Sequence, residues 1–582
     1  MEIVKGRFSI LGFSERLSPW HKFLPYALLL SITFALYAAT LFFGFVWDDY
    51  VYIVENYRIQ ELSLSHLRAI WTGTHLGHYA PMHNTLLAIL YRLSGLNPFG
   101  YHLAQLLLHA ACAGLLYLVL TRIESPRIAL LSVLLFVVHP ANIETVAWVA
   151  ETKSTLAFLF FLLSFLAFLR WQGNERWRDL GWGALFLVLS VLSKINTVVA
   201  PAIFLLYDYW RGVPFHRKRI ASLAALFLIS AIFVAVHLAS FQGSEGAAYG
   251  GLALHLQNLP FLVFFYLRMA IVPYPLSAWH LFRIYDHFTW VVGAGWIGLL
   301  GLLWMISRGN RRVQFWGLWF LIFLAPVLQI VPFPIWVAER YLYIPAIGAF
   351  VLASGVFFRV WDRLEGGWQR MGWEIAAGAV LLAYTGLTHA HLPVWKTDLA
   401  LWEATTPTCP TSPYCRSSLG LALLHVGETE RGVRELIQAV DLRPVPRYLI
   451  YLGDAFTLHV GDYRQALIAY NMALEQGGSS LDADFYAKLA RVYLRTGRLD
   501  QARLAIEAGG KINSGEPSLL VMNGFLQWKE GNLEGARNAL LRALSITGQT
   551  SHAAAFIFHE WGNTAELGPL LSDLQISPGN DR

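Results

Sequence analysis

Long apolar runs separated by short polar segments occupy the first two thirds of the chain. A helix needs about 20 apolar residues to cross the hydrocarbon core of a bilayer. Eleven runs meet or approach this length, at roughly 23–46, 102–121, 127–148, 154–171, 180–193, 195–210, 220–240, 288–306, 313–331, 342–359 and 373–390. The pattern predicts a polytopic membrane domain built from helices.

The composition agrees with a membrane protein. Hydrophobic residues make up 56% of the chain and charged residues only 14%, whereas a soluble domain has about 25% charged residues. The net charge of +6 comes from basic residues that cluster in short loops between apolar runs. Such clusters set membrane topology, so we predict membrane lipids and no nucleic acid as partners.

Basic segments also predict the orientation of the chain. They are the N-terminal tail, with Lys5, Arg7, Arg16 and Lys22, and the loops 170–178, 211–219, 308–312 and 359–370. Positive loops stay in the cytoplasm, so an even number of crossings must separate each neighbouring pair. This parity predicts that a twelfth apolar run, 258–275, is re-entrant or interfacial. The N-terminus is then cytoplasmic, and the chain beyond about residue 391 is periplasmic or lumenal.

The last third of the chain is polar and carries a repeat. Glycines recur with spacings of 34, 36 and 34 residues at Gly427, Gly461, Gly497 and Gly531. An alanine follows three of them, at Ala466, Ala502 and Ala536, and Gly432 replaces it in the first repeat. This period is typical of tetratricopeptide repeats, which stack into a solenoid that binds extended peptides. The sequence thus predicts an all-α protein with a membrane domain, 1–395, and a repeat domain, 396–582.

Three cysteines give no zinc pattern and no disulfide framework. Cys409 and Cys415 either form a disulfide, if their region is outside the cytoplasm, or remain two free thiols.

Two adjacent carboxylates, Asp48 and Asp49, follow the first predicted membrane helix. Charged residues at a membrane boundary are costly and often functional. One of them is a candidate general base that would deprotonate an acceptor hydroxyl. The structural alternative is that acidic residues end a helix at water.

Further polar residues fall on the same predicted face. They are His78, Tyr79 and His83, then His139, Glu144, Glu151 and Lys153, then Lys194, and finally Glu339, Arg340, Tyr341 and Tyr343. The cations Lys153, Lys194 and Arg340 are candidates for binding a lipid phosphate. Interfacial anchoring for the histidines, a solvated helix–loop–helix around Glu144 and a structural Glu339–Arg340 ion pair are the alternatives. No metal-ligand spacing or nucleotide-binding loop occurs, and a divalent cation remains open as a cofactor.

These residues form an ordered series of motifs. The motifs are Trp47-Asp48-Asp49 with Asn56, His78-Tyr79-Ala80-Pro81-Met82, His139-Pro140-Ala141-Asn142-Ile143-Glu144, Leu192-Ser193-Lys194, Tyr207-Asp208-Tyr209 and Glu339-Arg340-Tyr341-Leu342-Tyr343. The series resembles the tetratricopeptide-bearing, protein O-mannosyltransferase-like group of the C-type glycosyltransferases that is called TMTC in animals, together with its bacterial relatives. Ala80 departs from the family pattern, which usually has Arg there.

The resemblance implies a membrane glycosyltransferase with its active site on the periplasmic or lumenal face. It implies inverting transfer of a sugar, mannose-like hexose favoured, from a polyprenyl-phosphate donor to a hydroxyl, expected on Ser or Thr of an exported protein. An acidic residue of the first outer loop, Asp48 or Asp49, would be the base, and the repeats would bind the acceptor. The alternatives are a non-enzymatic membrane-anchored scaffold for envelope proteins and a transporter of lipid-linked sugars, although no inverted repeat is visible.

Overall fold

Helices account for the regular structure of the described chain. The computed structural model describes residues 22–241, 250–331, 335–547 and Ser572. Within these ranges the named elements are α-helices or short 3₁₀ and π turns, so the predicted all-α class is confirmed. The contacts divide the chain into two compact units, residues 1–401 and 402–582. The basic N-terminal residues Lys5, Arg7 and Arg16, on which the predicted orientation partly depends, lie outside the described residues.

The first unit consists mainly of long apolar helices. Their bounds are α1 Leu24–Tyr37, α2 Leu64–Thr72, α3 Pro81–Ser94, α4 Pro98–Ile123, α5 Pro126–Val138, α6 Ile143–Ala147, α7 Thr152–Asn174, α8 Trp177–Ser193, α9 Ala200–Arg211, α10 Arg217–Phe241, α11 Leu252–Ile271, α12 Trp290–Arg308, α13 Arg311–Leu324, α14 Ala346–Trp361, α15 Gly367–His391 and α16 Asp398–Thr405. Proline occupies the first turn of α3, α4 and α5, where its missing N–H would have no partner in the helix.

Seven helices among the described residues are long and apolar enough to cross a membrane, or eight if the bent pair 126–138 and 140–147 is one span. This confirms a multi-pass membrane protein but gives fewer full-length spans than the eleven predicted. The difference arises where apolar runs are broken into helices of 17 residues or fewer. Examples are α8, α9, α13 and α14.

The segment 258–275, predicted to be re-entrant or interfacial, is helical over most of its length. Most of it belongs to α11, a continuous 20-residue helix with Pro260 in its interior that is apolar enough to span. Proline is tolerated inside membrane helices because neighbouring groups satisfy the freed backbone. The parity argument therefore no longer fixes the orientation, which stays a prediction.

Aromatic packing forms the core of the first unit. Helix α7 packs along α8 and against α4, and its aromatic face meets α9 and α13. The ring of Phe168 stacks on Phe204 with centroids 4.6 Å apart, and Phe161 meets Phe323 edge-on at 5.0 Å. Offset and edge-on contacts of this kind add to the burial of apolar area. The core holds the start of α7 firmly in place.

The second unit is a succession of helix pairs. The helices are α17 Pro413–His425, α18 Thr429–Leu442, α19 Pro446–Ala455, α20 Tyr463–Gly477, α21 Ala483–Arg495, α22 Leu499–Ile512, α23 Pro517–Lys529 and α24 Leu533–Thr547. Each odd-numbered helix packs on the next one. The four repeat glycines all have positive φ, from +72° to +85°, a region that favours glycine. The tetratricopeptide assignment itself stays a prediction.

Close helix approach explains why the first repeat has Gly432 instead of alanine. A Cβ at Gly432 would lie 2.9 Å from the carbonyl oxygen of Gly420, and a Cβ at Gly420 would lie 2.9 Å from that of Gly432. The two helix backbones touch at this pair, which leaves no room for a methyl group. Nearby, Cys409 and Cys415 form a disulfide, and Cys112 is a buried free thiol.

We expect Gly348→Ala to destabilise the membrane unit. An added Cβ would lie 2.3 Å from the carbonyl oxygen of Trp316 on α13, whereas one at Gly378 on α15 would meet no atom within 4 Å. Overpacking of this kind costs about 1–3 kcal/mol, while alanine for glycine in an open helix gains up to about 1 kcal/mol. Thermal unfolding in detergent should show a lower Tm for G348A and an equal or higher Tm for G378A. Equal melting of the two variants would contradict the packing.

Candidate active site

The first outer loop begins with an unusual backbone at Trp47. The chain leaves α1 through a 3₁₀ turn, Ala38–Phe42, and re-forms a turn at Tyr50–Val54. Between them Trp47 has φ of +54°, which is rare for a bulky residue. Its ring stacks on Trp148 at 4.5 Å with an interplanar angle of 5°. This stack fastens the loop to the segment that precedes α7.

Asp49 has both carboxylate oxygens engaged by backbone groups. It is completely buried, and it accepts hydrogen bonds from the N–H of Val46 at 3.1 Å and of Ala150 at 2.6 Å. Burial raises the pKa of Asp49 well above its ordinary value, and the two backbone hydrogen bonds oppose that rise. Asp49 therefore joins the outer loop to residues 149–151.

Asp48 lies within range of the charges of Lys153 and Arg340 instead. Its side chain is half-buried, and no hydrogen bond from another described residue reaches its carboxylate. Burial raises the pKa of Asp48, and the positive charges of Lys153 and Arg340 partly offset the effect. A carboxylate that is close to cations but not hydrogen-bonded is available to accept a proton from a substrate.

Glu151 is the centre of a buried ion cluster. Only 1% of the residue is exposed. Its carboxylate accepts a hydrogen bond from Lys194 Nζ at 2.8 Å and lies 3.6 Å from Lys153 Nζ and 3.5 Å from Arg340 Nε. The hydroxyl of Ser154 also donates to it. One carboxylate thus brings together cations that are far apart in the sequence.

Arg340 is fixed by a second carboxylate and by aromatic rings. Its backbone N–H donates to Glu144 at 2.7 Å, and its guanidinium also donates to that carboxylate. The guanidinium carbon lies 5.3 Å from the ring centre of Trp148 and 5.0 Å from that of Tyr341. Such contacts suit arginine, which stacks on aromatic faces while its N–H groups bind anions.

A small pocket opens beside the cluster. Its polar lining comes from Ser154, Lys194, Asn196, Thr197, Arg340 and Tyr341. Burial lowers the pKa of Lys194 to about 8, although the charge of Glu151 opposes the shift. With Asp48 ionised, the three cations Lys153, Lys194 and Arg340 balance the carboxylates of Asp48, Glu144 and Glu151, and two of these cations, Lys194 and Arg340, present N–H donors to the pocket. The pocket therefore suits a small anion such as a phosphate group.

The structure brings together seven of the residues predicted from the sequence. They are Asp48, Glu144, Glu151, Lys153, Lys194, Arg340 and Tyr341, joined by the ion pairs, charge effects and ring contacts described above. Asp49 is directly adjacent, but its oxygens are occupied.

Other predicted residues have different surroundings. The Tyr343 hydroxyl is 2.8 Å from His109 Nδ1 in the core, although part of the residue lines the pocket. Glu339 accepts hydrogen bonds from the Ser277 N–H at 2.6 Å and from His280 at 3.1 Å. These two residues are engaged within the protein and support the neighbouring Arg340–Tyr341 pair.

Two of the predicted histidines, His78 and His83, border the cluster, because the charges of Lys153, Lys194 and Glu151 act on both. His139 is buried against Phe350 and Tyr384, and its Nδ1 accepts from the Ala141 N–H. His78 is exposed and stacks near His237. His83 is buried under the ring of Tyr52. The half-buried Tyr79 donates its hydroxyl hydrogen to the carbonyl of Trp71.

Three functional neighbours were not among the predicted site residues. The hydroxyl oxygen of Tyr52 is 3.5 Å from Lys153 Nζ. The hydroxyl of Ser154 donates a hydrogen bond to Glu151 and accepts one from Lys194. The ring of Trp148 lies against the guanidinium of Arg340. Ser154 follows Glu151 by three residues, which places both on one helical face; this spacing could have indicated it. No group of three or more His, Cys, Asp or Glu side chains within the described ranges could hold a metal ion.

Comparisons with known proteins agree with the motif series. Residues 78–239 match the family model described as dolichyl-phosphate-mannose-protein mannosyltransferase. The human protein O-mannosyl-transferase TMTC3 is 22% identical over 72% of this chain and 51% of its own length. Human TMTC4 is 34% identical over 24% of this chain and 22% of its own length. The chain thus spans about half the length, or less, of these curated relatives. The resemblance to the TMTC group is confirmed.

Among solved structures, the apo form of the Archaeoglobus fulgidus oligosaccharyltransferase is similar with a TM-score of 0.40 and 13% sequence identity. The similarity covers 66% of this chain and 57% of that one.

The two aspartates should differ in their effect on stability. In Asp49→Asn, an amide NH₂ that cannot accept a hydrogen bond replaces one carboxylate oxygen. One of the two backbone N–H donors, Val46 or Ala150, is then left without an acceptor, and an unsatisfied buried donor costs about 1–3 kcal/mol. Asp48→Asn breaks no protein hydrogen bond and should change stability by less. Thermal unfolding of the two purified variants checks this order, and an unchanged Tm for D49N would contradict the structural role of Asp49.

Proposed function

We propose that this TMTC-like chain is a membrane glycosyltransferase that moves a sugar from a polyprenyl-phosphate donor to a hydroxyl acceptor. The observation that carries the proposal is the half-buried Asp48 carboxylate beside a buried cluster of three cations. A base next to an anion site is what transfer from a lipid phosphate requires. The base activates the acceptor, and the cations stabilise the leaving phosphate.

The donor phosphate would bind in the pocket beside Lys194 and Arg340. Both cations are held by carboxylates in the structure, Lys194 by Glu151 and Arg340 by Glu144. A bound phosphate would share them, because each of these side chains has several N–H donors. As the bond between sugar and phosphate breaks, negative charge grows on the phosphate oxygen, and the fixed cations stabilise that charge more than they stabilise the ground state.

Asp48 would accept the proton of the acceptor hydroxyl. The hydroxyl oxygen forms a bond to the anomeric carbon while the bond from that carbon to the phosphate oxygen breaks, so one displacement inverts the configuration. The proton moves to Asp48, and the electron pair leaves with the lipid phosphate. Asp49 would hold the loop in place through its bonds to Val46 and Ala150.

The names of the relatives suggest the substrates. The matched family model names dolichyl-phosphate-mannose, and the curated relatives are protein O-mannosyl-transferases. We therefore propose a mannose-like hexose as the sugar and Ser or Thr of an exported protein as the acceptor, bound by the helical repeats. The site and the repeats would be periplasmic or lumenal and the N-terminus cytoplasmic. The Cys409–Cys415 disulfide supports this placement, because disulfides persist in oxidising compartments.

A purely structural membrane anchor is less well supported. Such an anchor has no need for charges in its interior, and burying ions costs several kcal/mol per ion unless they are paired. Glu144, Glu151 and Arg340 are each 6% exposed or less. A cluster this costly indicates a site that binds a charged ligand.

Replacing the proposed base should abolish most of the activity. Asp48→Asn should lower kcat by about 10²- to 10⁴-fold, the usual contribution of a general base, with little change in the KM of the donor. The assay is transfer from a radiolabelled polyprenyl-phosphate mannose to a Ser/Thr peptide by the purified protein. Asp286→Asn, at an exposed aspartate in another loop, is the matched control and should behave as wild type. A D48N enzyme with wild-type kcat would refute the assignment.

The pH dependence should have two limbs. Because burial raises the pKa of Asp48, the base becomes protonated, and kcat/KM falls, at a higher pH than the value near 3.9 of an ordinary aspartate would give. Lys194, whose pKa is about 8, loses its charge above that pH, so the donor KM should rise there. Lys194→Arg keeps the charge and should remove the alkaline rise in KM. A donor KM that stays flat from pH 7 to 9.5 in the wild type would argue against Lys194 as a phosphate ligand.

A further inference from the structure

The segment after α15 lies against the loop that carries Asp48. The N–H of Gly44 donates to the carbonyl of Lys396 at 3.0 Å, and the N–H of Trp47 donates to Asp398 Oδ1 at 2.8 Å. The ring of Trp395, 1% exposed, lies 5.8 Å from that of Trp148. Residues about 350 positions apart thus make two hydrogen bonds at the start of the Asp48 loop, and Trp395 contacts the ring on which Trp47 stacks.

Asp398 accepts a hydrogen bond from Trp47, whose backbone has an unusual positive φ. Trp47 has φ of +54°, and a bulky residue adopts this region only when its surroundings hold it there. The stack on Trp148 holds the ring, and Asp398 holds the backbone N–H. Asp48 is the next residue, so a change at Trp47 would shift the Asp48 carboxylate relative to Lys153 and Arg340.

We propose that Asp398 is a positioning residue that holds Trp47 and so sets the direction of the Asp48 carboxylate toward the reacting hydroxyl. The inference rests on the proposed function for its effect on transfer, but its geometric part is independent of it. Asp398 itself would touch neither the sugar nor the phosphate.

The side chain of Asp398 contributes a hydrogen-bond acceptor for Trp47 and a negative charge near Asp48. Two different substitutions can separate these contributions. The titratable groups that interact with the charge of Asp48 are Lys153, Arg340 and Glu151 from the ion cluster, Asp398 from the segment after α15, and Asp49 and Tyr52 from its own loop. The negative charge of Asp398 opposes ionisation of Asp48. Asp398→Asn keeps an oxygen that can accept from Trp47 but removes the charge, whereas Asp398→Ala removes both.

The transfer assay compares D398A, D398N and a control. D398A should lower kcat by about 10- to 100-fold, the loss that a misplaced catalytic group gives, with the donor KM within about threefold of wild type because the phosphate ligands are untouched. D398N should recover most of the lost kcat and shift the acid limb of kcat/KM to lower pH. Lys396→Ala is the matched control, because its side chain is exposed and Gly44 bonds only its backbone carbonyl.

Two outcomes of the assay would overturn the inference. One is wild-type kcat in D398A, and the other is a D398N enzyme as impaired as D398A, since the hydrogen bond would then not matter. If D398A does not fold, as judged by its melting curve, kcat of D398N against K396A decides: a D398N enzyme that keeps the acceptor for Trp47 and still loses kcat would contradict the hydrogen bond as the positioning contact.

Hydrogen exchange separates this inference from the proposed function. In peptides that cover residues 44–55, D398A should exchange faster than wild type, while D398N and K396A should exchange at the wild-type rate, because only D398A loses the acceptor for the Trp47 N–H. If wild type transfers no sugar but this exchange pattern holds, the proposed function fails and the positioning role stands. If exchange in D398A is unchanged, the positioning role fails whatever the activity.

Discussion

The Glu151 carboxylate is buried among three cations that come from three segments of the chain. Lys153 is on the same helix start, Lys194 is in the link between α8 and α9, and Arg340 is in the turn before α14. Without a shared anion these cations would repel one another in a site with little water, and breaking a buried ion pair typically costs about 3–5 kcal/mol. The attraction to Glu151 therefore fixes the relative positions of these segments and forms the pocket between them.

The same constraint explains why the two adjacent aspartates differ. Residues 149–151 lead into α7 and present the Ala150 N–H to Asp49, so Asp49 is used to attach the outer loop. Attachment through Asp49 leaves Asp48 within range of the charges of Lys153 and Arg340, which are already held by Glu151. Two identical neighbours therefore have different roles: the Asp49 carboxylate is structural, and the Asp48 carboxylate is available. Which of them is structural depends on the backbone N–H of Ala150, about 100 residues away in the chain.

Sequence reasoning could find the residue types but not all of their partners. The membrane class, the helix pairs and most of the cluster follow from apolar runs, glycine spacing and polar residues placed between spans. Whether Asp48 or Asp49 is engaged depends on which backbone N–H groups face the loop, and no local pattern records this. Asp398 gives no signal, because its contact with Trp47 crosses most of the chain.

The count of full-length spans was too high for a related reason. The runs near α8 and α9, 180–193 and 195–210, are already shorter than about 20 residues, and 3₁₀ turns at Ile195–Val199, Ala325–Val327 and Glu339–Leu342 shorten the helices α9, α13 and α14. Parity arguments treat each run as one crossing and cannot recognise such interruptions. At 258–275 the prolines indicated a break, yet the helix continues through Pro260.

A structure of the protein with a non-transferable polyprenyl-phosphate sugar analogue, determined in lipid nanodiscs, tests the central claim most directly. We expect phosphate density within hydrogen-bonding distance of Lys194 and Arg340, with the anomeric carbon on the side of that phosphate nearer to Asp48. Phosphate density elsewhere in the membrane unit, with the Glu151 cluster unchanged and no ligand near it, would contradict that claim.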